Sequence, residues 1–214
     1  MQKPSMCKYV ACFLTFVVID LINPQTVLAR EVAPPVLSMI ELREQNVVLQ
    51  QWELSCASAA LATILRYQHG FPATERLVAL GMINRKEYLS NPDLLRIRQG
   101  FSLLDMKRFV DRLGYQGLGL GQLGFEDLIE YAPIIVPVNL QGFPHFVVFR
   151  AATSNQVLLA DPAFGNVTMS IRKFTDGWIK YKDIDRVGFV VKESGKLKPP
   201  GRLSASALDF VSLH

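Results

Sequence analysis

Cysteine and histidine are scarce in this sequence: three of each occur among 214 residues. Zinc and related metals are usually held by several His and Cys side chains at short spacing, and the sequence has no such cluster. We therefore predict no metal and no cofactor. The net charge is only +4, and the lysines and arginines form no basic run or aromatic-interleaved motif, which argues against nucleic-acid binding.

Two of the three cysteines lie in an N-terminal segment that is typical of an export signal. Two lysines precede an uncharged apolar stretch over residues 9–19, and small or apolar residues at 27–29 suit cleavage before Arg30. We predict a signal peptide over residues 1–29 and an exported, periplasmic protein. The alternative is an uncleaved segment that anchors the protein to the membrane. After cleavage Cys56 is the only cysteine, so no internal disulfide is expected.

The remaining chain divides by composition into three parts. Residues 30–42 contain two adjacent prolines and are predicted to form an extended lead-in. Residues 43–192 are predicted to form one domain, which begins with a short strand over residues 44–49. Residues 193–214 contain mostly Lys, Pro, Gly and Ser at their start and are predicted to form a flexible tail. The sequence has no internal repeats.

Apolar periodicity predicts helices in the first half of the domain and strands in the second. One helix begins at Cys56 with Ser55 as its N-cap. Another follows Ser102, with Leu104 on its buried side and Asp105 in solvent. This order predicts an α+β fold in which N-terminal helices pack on an antiparallel β-sheet. The predicted strands span residues 115–120, 134–138, 145–150, 156–160, 167–170 and 187–191.

Cys56 is the first candidate for chemistry. A thiol in the first turn of a helix lies near the positive end of the helix dipole, which favours the thiolate. A single Cys is also commonly a small buried apolar residue, so a nucleophilic role requires a base nearby. Six residues upstream, Gln50 offers a side-chain amide that can donate a hydrogen bond to an oxyanion, and Gln51 is the rival for this role.

Elimination among the histidines indicates His145 as that base. His69 follows Cys56 by 13 residues on the same predicted helix, about 20 Å away at the helical rise. His214 is the last residue of the predicted tail. His145 begins a strand and Asp161 ends the next one, with the turn between them eight residues from each. The two are therefore predicted to be cross-strand neighbours, with the carboxylate orienting the imidazole.

Several blocks of the sequence together resemble the C39 peptidases, the double-glycine leader peptidases. The first block spans residues 50–70 and contains the candidate cysteine. The His block spans residues 144–148 (Pro-His-Phe-Val-Val), and the Asp block spans residues 159–162 (Leu-Ala-Asp-Pro). Residues 102–115 are similar to the middle helix of that family. The blocks occur in the order that the family shows.

The resemblance implies a papain-like cysteine peptidase fold with Cys56, His145 and Asp161 as a catalytic triad. It also implies that Gln50 contributes to the oxyanion hole and that the substrate is a peptide or protein, cut after a Gly-Gly leader motif. Two features depart from the usual pattern of the family. Ala57 follows the cysteine where the family usually has Gly, and the chain combines an export signal with no fused transporter. We therefore expect a stand-alone exported member of the family.

Two alternative functions use the same residues. A non-catalytic peptide-binding module, or pseudo-peptidase, would hold peptides in the same groove without cleaving them. A related amidase or acyl transferase would use the same triad. The segment 119–124 also fits the G-x-G-x-x-G pattern, but it lacks the acidic residue about twenty positions on that a dinucleotide site needs. We predict that this segment is a loop.

Overall fold

The computed structural model describes residues 37–140, 142–193, 201 and 203–211. The predicted signal peptide, residues 30–36 of the predicted lead-in, and His214 lie outside the described residues. None of the helices in the described ranges has the length and apolar character that a bilayer crossing requires. In chain order, the helices are α1 (Met39–Glu44), α2 (Cys56–Thr63), α3 (Glu75–Ile83), α4 (Lys86–Ser90), α5 (Leu94–Ile97), α6 (Leu103–Arg112), α7 (Phe125–Tyr131), α8 (Ile171–Gly177) and α9 (Ala207–Val211). The strands are β1 (Tyr115–Leu120), β2 (Ile134–Val138), β3 (His145–Ala152), β4 (Gln156–Asp161), β5 (Gly165–Ser170), β6 (Lys180–Tyr181), β7 (Asp185–Arg186) and β8 (Gly188–Glu193).

Six of these strands form one antiparallel sheet in the order β1-β8-β2-β3-β4-β5. The short strands β6 and β7 pair separately. The last strand of the sheet, β8, lies between β1 and β2, so it joins the first strand of the domain to the later hairpins. The α+β prediction, with helices packed on an antiparallel sheet, is confirmed.

Both faces of the central sheet are buried. Successive side chains of β2 point to opposite faces, and all of them are buried. Ile135 packs in a core with α2, α3 and α6, whereas Ile134 and Val136 pack in a second core with α7 and α8. All residues of α2 are buried, as expected for a helix surrounded by protein. After Thr63 the helix continues as a π-helical turn over Ile64–Gln68. The first residue of α2 is thus held on a rigid, central element.

Helix α6 differs from its predicted orientation. Leu104 is 51% exposed and Asp105 only 1%, the reverse of the expectation. The reason is a capping box in which Ser102 and Asp105 bond reciprocally, and Asp105 also accepts from the Tyr88 hydroxyl at 2.7 Å and forms an ion pair with Arg85. Burial, the largest influence, raises the pKa of Asp105, but the hydrogen bonds and the Arg85 charge together hold that pKa below its usual value. This cluster ties α4 to α6.

The ends of the domain also differ from the prediction. Residues 39–42 belong to α1 rather than to an extended lead-in, because the Ser38 side chain caps that helix. Residues 45–50 form no strand. Glu193 belongs to β8, and residues 207–211 form α9, so these parts of the predicted flexible tail are structured.

Two buried polar side chains, Arg150 and Asn166, anchor both ends of the domain to the sheet. Arg150 Nε donates to the Leu203 carbonyl at 3.0 Å, and Arg150 Nη1 donates to Asn166 Oδ1 at 2.7 Å. Asn166 Nδ2 donates to the carbonyls of Leu42 at 3.2 Å and Gln45 at 2.7 Å. The segment after α1 and the segment around Leu203 are therefore connected through one hydrogen-bond network.

Candidate active site

Cys56 is the first residue of α2, and its free thiol is mostly buried, with 9% of the residue exposed. Ser55 precedes it in the predicted N-cap position, but the Ser55 hydroxyl does not cap the helix. It lies 2.6 Å from the Trp52 carbonyl and also contacts the Glu75 carboxylate. The loop before Cys56 is therefore tied to itself and to α3 rather than to the first turn of α2.

The electrostatics of the sulfur favour the neutral thiol. Burial raises the pKa of Cys56 above its ordinary value; hydrogen bonds from the backbone N–H groups of Phe146 and Ala57 lower it, and the charge of Asp161 raises it. Burial outweighs the hydrogen bonds, so the pKa of Cys56 remains above its ordinary value. The sequence predicted a thiolate favoured by the helix dipole, whereas in the folded protein desolvation outweighs that effect. Attack by this sulfur consequently depends on a base.

His145 is the first residue of β3 and is buried beside Asp161. His145 Nε2 lies 2.9 Å from Asp161 Oδ2, and only 4% of each side chain is exposed. His145 Nδ1 lies 3.4 Å from the Phe143 carbonyl, a distance at which a hydrogen bond is weak. The bond to the carboxylate assigns the Nε2 proton, so Nδ1 is the ring nitrogen available as a base.

The hairpin of β3 and β4 brings these two residues together with a small shift from the predicted register. Val148 pairs with Ala160, and a bulge between Phe149 and Ala151 displaces the pairing by one residue. By continuation of this register Asp161 lies diagonally across from His145 rather than directly opposite. The side chains of diagonal neighbours are still close enough to contact each other, and these two form a hydrogen bond.

Cys56 and His145 line the same open cleft, which has a volume of about 360 Å³. The Phe146 N–H that reaches the Cys56 sulfur belongs to the residue directly after His145. The structure therefore brings together the three residues of the predicted triad: the sulfur and the imidazole at the cleft, and Asp161 behind the imidazole. The other cleft residues come from the start of α6 and the loop before it, from β2, from the start of β3, and from the segment around β6 and β7: Arg98, Gln99, Gly100, Phe101, Ser102, Leu103, Pro137, Pro144, Phe146, Ile179, Tyr181, Ile184 and Val187.

Gln50, the predicted oxyanion donor, lies in the loop before Cys56. Its backbone N–H donates to the Pro162 carbonyl at 2.8 Å, which places it beside the residue that follows Asp161. Its side-chain Nε2 donates to the Trp52 carbonyl at 3.4 Å. The rival residue Gln51 is exposed, and its backbone N–H is bonded to the Glu75 carboxylate.

Ala57, where the C39 peptidases usually have Gly, is fully buried and belongs to the core beneath α2. Its methyl group therefore packs in the core rather than at the cleft. His69 Nδ1 lies 3.4 Å from Glu193 Oε1, and His69 is not one of the residues that line the cleft. In the described part of the chain, no three His, Cys, Asp or Glu side chains come together in a way that could hold a metal ion.

Sequence reasoning missed Glu75 and the cleft wall formed by residues 98–103. Glu75 follows the N-cap Thr74, and an acidic residue in the first turn of a helix is explained by the helix dipole alone. Its pairing with the loop before Cys56 spans more than twenty residues and leaves no local pattern. The cleft wall has no periodic pattern either, because it is a loop.

The sequence model of the Peptidase C39 family matches residues 44–182. The chain is 38% identical over 142 residues to a probable functional amyloid protease FapD of Pseudomonas fluorescens, and 37% identical over 145 residues to the FapD of Pseudomonas aeruginosa. These matches cover 66% and 67% of this chain. They span only 60% and 61% of the length of those relatives.

The fold is also found in a crystal structure of a double glycine motif protease from an AMS/PCAT transporter in complex with the leader peptide. The TM-score is 0.53 at 21% identity, and the match covers 69% of this chain and 91% of that chain. This similarity confirms the papain-like fold of the C39 peptidases. Because the family model covers well over half of the sequence, the chain belongs to the peptidase C39 family.

Proposed function

We propose that this chain is an exported cysteine peptidase that cleaves a peptide after a Gly-Gly motif. Cys56 is the nucleophile, His145 is the general base and acid, Asp161 orients His145, and Gln50 is an oxyanion donor. One observation carries the proposal: Cys56 and His145 open onto the same cleft while Asp161 holds the far side of the imidazole at 2.9 Å.

The reaction follows from the direction of each proton. His145 Nδ1 takes the thiol proton while the Cys56 sulfur attacks the carbonyl carbon, so a C–S bond forms and the carbonyl electrons move to oxygen. The Cys56 N–H and the Gln50 amide stabilise this oxyanion. His145 returns the proton to the leaving amine as the C–N bond breaks. Water then attacks the thioester carbonyl while His145 takes a proton from it. The C–S bond breaks, His145 returns the proton to the sulfur, and the acyl group leaves as a carboxylic acid.

Gln50 is not one of the residues that line the cleft, so its oxyanion role requires the side-chain amide to turn away from Trp52. In the substrate-free structure its amide is 3.4 Å from the Trp52 carbonyl, at the weak limit of a hydrogen bond. An oxyanion is a stronger acceptor than a neutral carbonyl, so its formation favours rotation of the amide away from Trp52. The backbone of Gln50 is meanwhile fixed by its bond to Pro162.

The walls of the cleft support a substrate with small residues at the scissile bond. Phe101, Phe146, Ile179 and Tyr181 all line this cleft of about 360 Å³. Large side chains beside the reacting sulfur favour small residues at the scissile bond. The structural neighbour is named as a double glycine motif protease bound to its leader peptide, which supports the same motif here.

The test uses the purified protein and peptides that differ only at the two residues before the scissile bond, Gly-Gly against Gly-Ala, Ala-Gly and Val-Val. Products are identified by mass. We expect cleavage after Gly-Gly and at least about 100-fold slower cleavage of Val-Val, because the branched side chains do not fit. Cys56→Ala and His145→Ala are expected to abolish cleavage.

Each other outcome identifies a different function. Binding of the Gly-Gly peptide without any cleavage by the wild-type protein would show a pseudo-peptidase. Products that carry an added amine instead of a hydroxyl would show an acyl transferase. Cleavage that survives Cys56→Ala would overturn the assignment of the nucleophile.

The export proposal is tested separately from catalysis. Cells that produce the full chain are fractionated, and the mature protein is sequenced from its N-terminus. We expect the protein in the periplasm with Arg30 as its first residue. Recovery of the uncleaved chain with the membrane would favour the anchored alternative.

A further inference from the structure

Glu75, the first residue of α3, is a buried carboxylate with only 4% of the residue exposed. The Gln51 backbone N–H donates to both of its oxygens, at 2.9 and 3.0 Å, and the Ser55 hydroxyl contacts one of them. An acidic residue in the first helical turn is usually solvated, and a buried carboxylate is stable only where hydrogen bonds replace water. The function described so far makes no use of this group.

The partners of Glu75 are next to both oxyanion donors. Gln51 directly follows Gln50, and Ser55 directly precedes Cys56. A single carboxylate on another helix therefore fixes the backbone at both ends of the loop that supplies the side-chain amide and the backbone N–H. The C39 resemblance and the elimination among histidines give no role to this position.

The same loop contains a strained residue that needs such support. Leu54 has φ 65°, in the left-handed region that a branched side chain rarely adopts. Its carbonyl packs against Gly100, where an added Cβ would lie 3.1 Å from the Leu54 oxygen. A conformation of this kind persists only when surrounding contacts enforce it. Glu75 supplies those contacts on one side and Gly100 supplies them on the other.

We propose that Glu75 is a positioning residue that holds the 50–56 loop so that Gln50 and the Cys56 N–H can stabilise an oxyanion. The inference rests on the proposed function and deepens it. It predicts that loss of Glu75 changes the rate of one reaction of the Cys56 sulfur and leaves the rate of another unchanged. Attack on a carbonyl builds an oxyanion and depends on Glu75, whereas alkylation builds none and does not.

The two reactions are followed on the purified full chain by the mass of the peptide that contains Cys56, because Cys7 and Cys12 can also be modified. With p-nitrophenyl acetate, the Cys56 sulfur forms a bond to the acetyl carbon, the thiol proton goes to His145, and p-nitrophenolate leaves as the C–O bond breaks. With iodoacetamide, the sulfur forms a bond to the methylene carbon and iodide leaves. Both rates are measured at one pH, and each variant is first checked for its melting temperature.

Glu75→Gln is expected to slow acetylation about 10- to 100-fold, the range that follows the loss or misplacement of one oxyanion donor. Its alkylation rate is expected to stay within about twofold of wild type, because that rate reports only thiolate formation and access. Glu53→Gln is the matched control, since Glu53 lies exposed in the same loop. It should leave both rates unchanged.

Three results would overturn the inference. Equal acetylation by Glu75→Gln and wild type would show that the loop holds its geometry without the carboxylate. Parallel loss of acetylation and alkylation would show that Glu75 maintains the fold or the thiol rather than the oxyanion donors. A wild-type protein that reacts with neither reagent would remove the proposed function itself, and with it the inference, before any variant is made.

Ser55→Ala gives the same test if Glu75→Gln does not fold. It removes the hydroxyl's contacts with Glu75 and with the Trp52 carbonyl and leaves both Gln51 bonds in place. We expect the same separation of the two rates at a smaller size, with acetylation slowed about 3- to 10-fold. Unchanged acetylation in a folded Ser55→Ala would contradict the role of this contact.

Discussion

His145 Nε2 lies 2.9 Å from Asp161 Oδ2 in a position where only 4% of either side chain is exposed. A carboxylate in such dry surroundings holds the imidazole in one tautomer and one orientation. The Phe143 ring, with its centroid 5.1 Å from that of the imidazole, packs against the same side chain. Nδ1 is thereby left as the ring nitrogen that can receive the proton of Cys56.

This relationship predicts unequal effects of two substitutions at Asp161. Asp161→Ala should lower kcat about 100-fold, because the imidazole loses its orientation and tautomer. Asp161→Asn should lower kcat less than about 10-fold, because its amide oxygen still accepts from Nε2–H. Peptide cleavage rates and KM are measured for both variants, with the exposed Asp176→Asn as control. Equal losses would show that the charge matters rather than the hydrogen bond.

The raised pKa of Cys56 predicts the pH dependence of its alkylation. Burial is the main cause, so the resting thiol is protonated at neutral pH. The rate of reaction with iodoacetamide should climb with pH through and beyond the ordinary cysteine range of about 8.5. Stopped-flow or mass-based rates across this range test the expectation. A plateau below about pH 7 would show a preformed thiolate and would contradict it.

The same pKa predicts a dependence of stability on pH. A thiol whose pKa is raised on folding stabilises the native state below the pKa of the unfolded thiol, and this contribution is lost as the pH rises above it. The free energy of unfolding of wild type, relative to Cys56→Ser, should therefore fall between about pH 8 and pH 10. Urea titrations of both proteins measure the difference. A constant difference would argue that the thiol is solvated in the native state.

Much of this fold could be predicted because its helices and strands follow from local sequence patterns. The helix at Cys56, the strand that begins at His145 and the strand that ends at Asp161 follow from the period of apolar residues. The hairpin also needed only short-range counting. Its turn lies later than Thr153, since Ala152 pairs with Val157, and this makes Asp161 a diagonal neighbour of His145 rather than a direct one. Local signals therefore suffice where the interacting residues belong to one supersecondary unit.

The remaining features depend on contacts between distant segments. Asp105 was expected in solvent, but Arg85 and Tyr88 from another helix surround it. Glu75 has the composition of an ordinary helix start, and only the packed loop reveals its partners. The pKa of Cys56 was expected to be lowered, because the helix dipole can be inferred from sequence alone. The pKa is raised instead, because desolvation depends on the whole fold.

The Asp105 cluster predicts a stability loss that shrinks in acid. Asp105→Asn should lower the free energy of unfolding by about 2–3 kcal/mol at neutral pH, because Arg85 and Tyr88 lose a buried charged acceptor. The pKa of Asp105 is lowered on folding, so its contribution is present above the unfolded value of about 3.9 and is lost below it. Urea titrations should show a smaller difference in the free energy of unfolding between wild type and Asp105→Asn near pH 3.5 than near pH 7. Asp93→Asn, an exposed residue without a side-chain cap bond, should change stability by less than about 0.5 kcal/mol.

The anchors at Arg150 and Asn166 predict different patterns of local opening. Arg150→Met removes the donor to the Leu203 carbonyl, so amide exchange should increase across residues 203–211 and remain low across 39–45. Asn166→Ala also removes the donors to Leu42 and Gln45, so exchange should increase in both segments. Each variant should lose about 2–4 kcal/mol of stability, because buried acceptors are left without partners. Arg172→Met, at an exposed position on α8, serves as control for hydrogen exchange measured by mass spectrometry. If Asn166→Ala left residues 39–45 fully protected, apolar packing and not this hydrogen-bond network would hold the N-terminal segment of the domain in place.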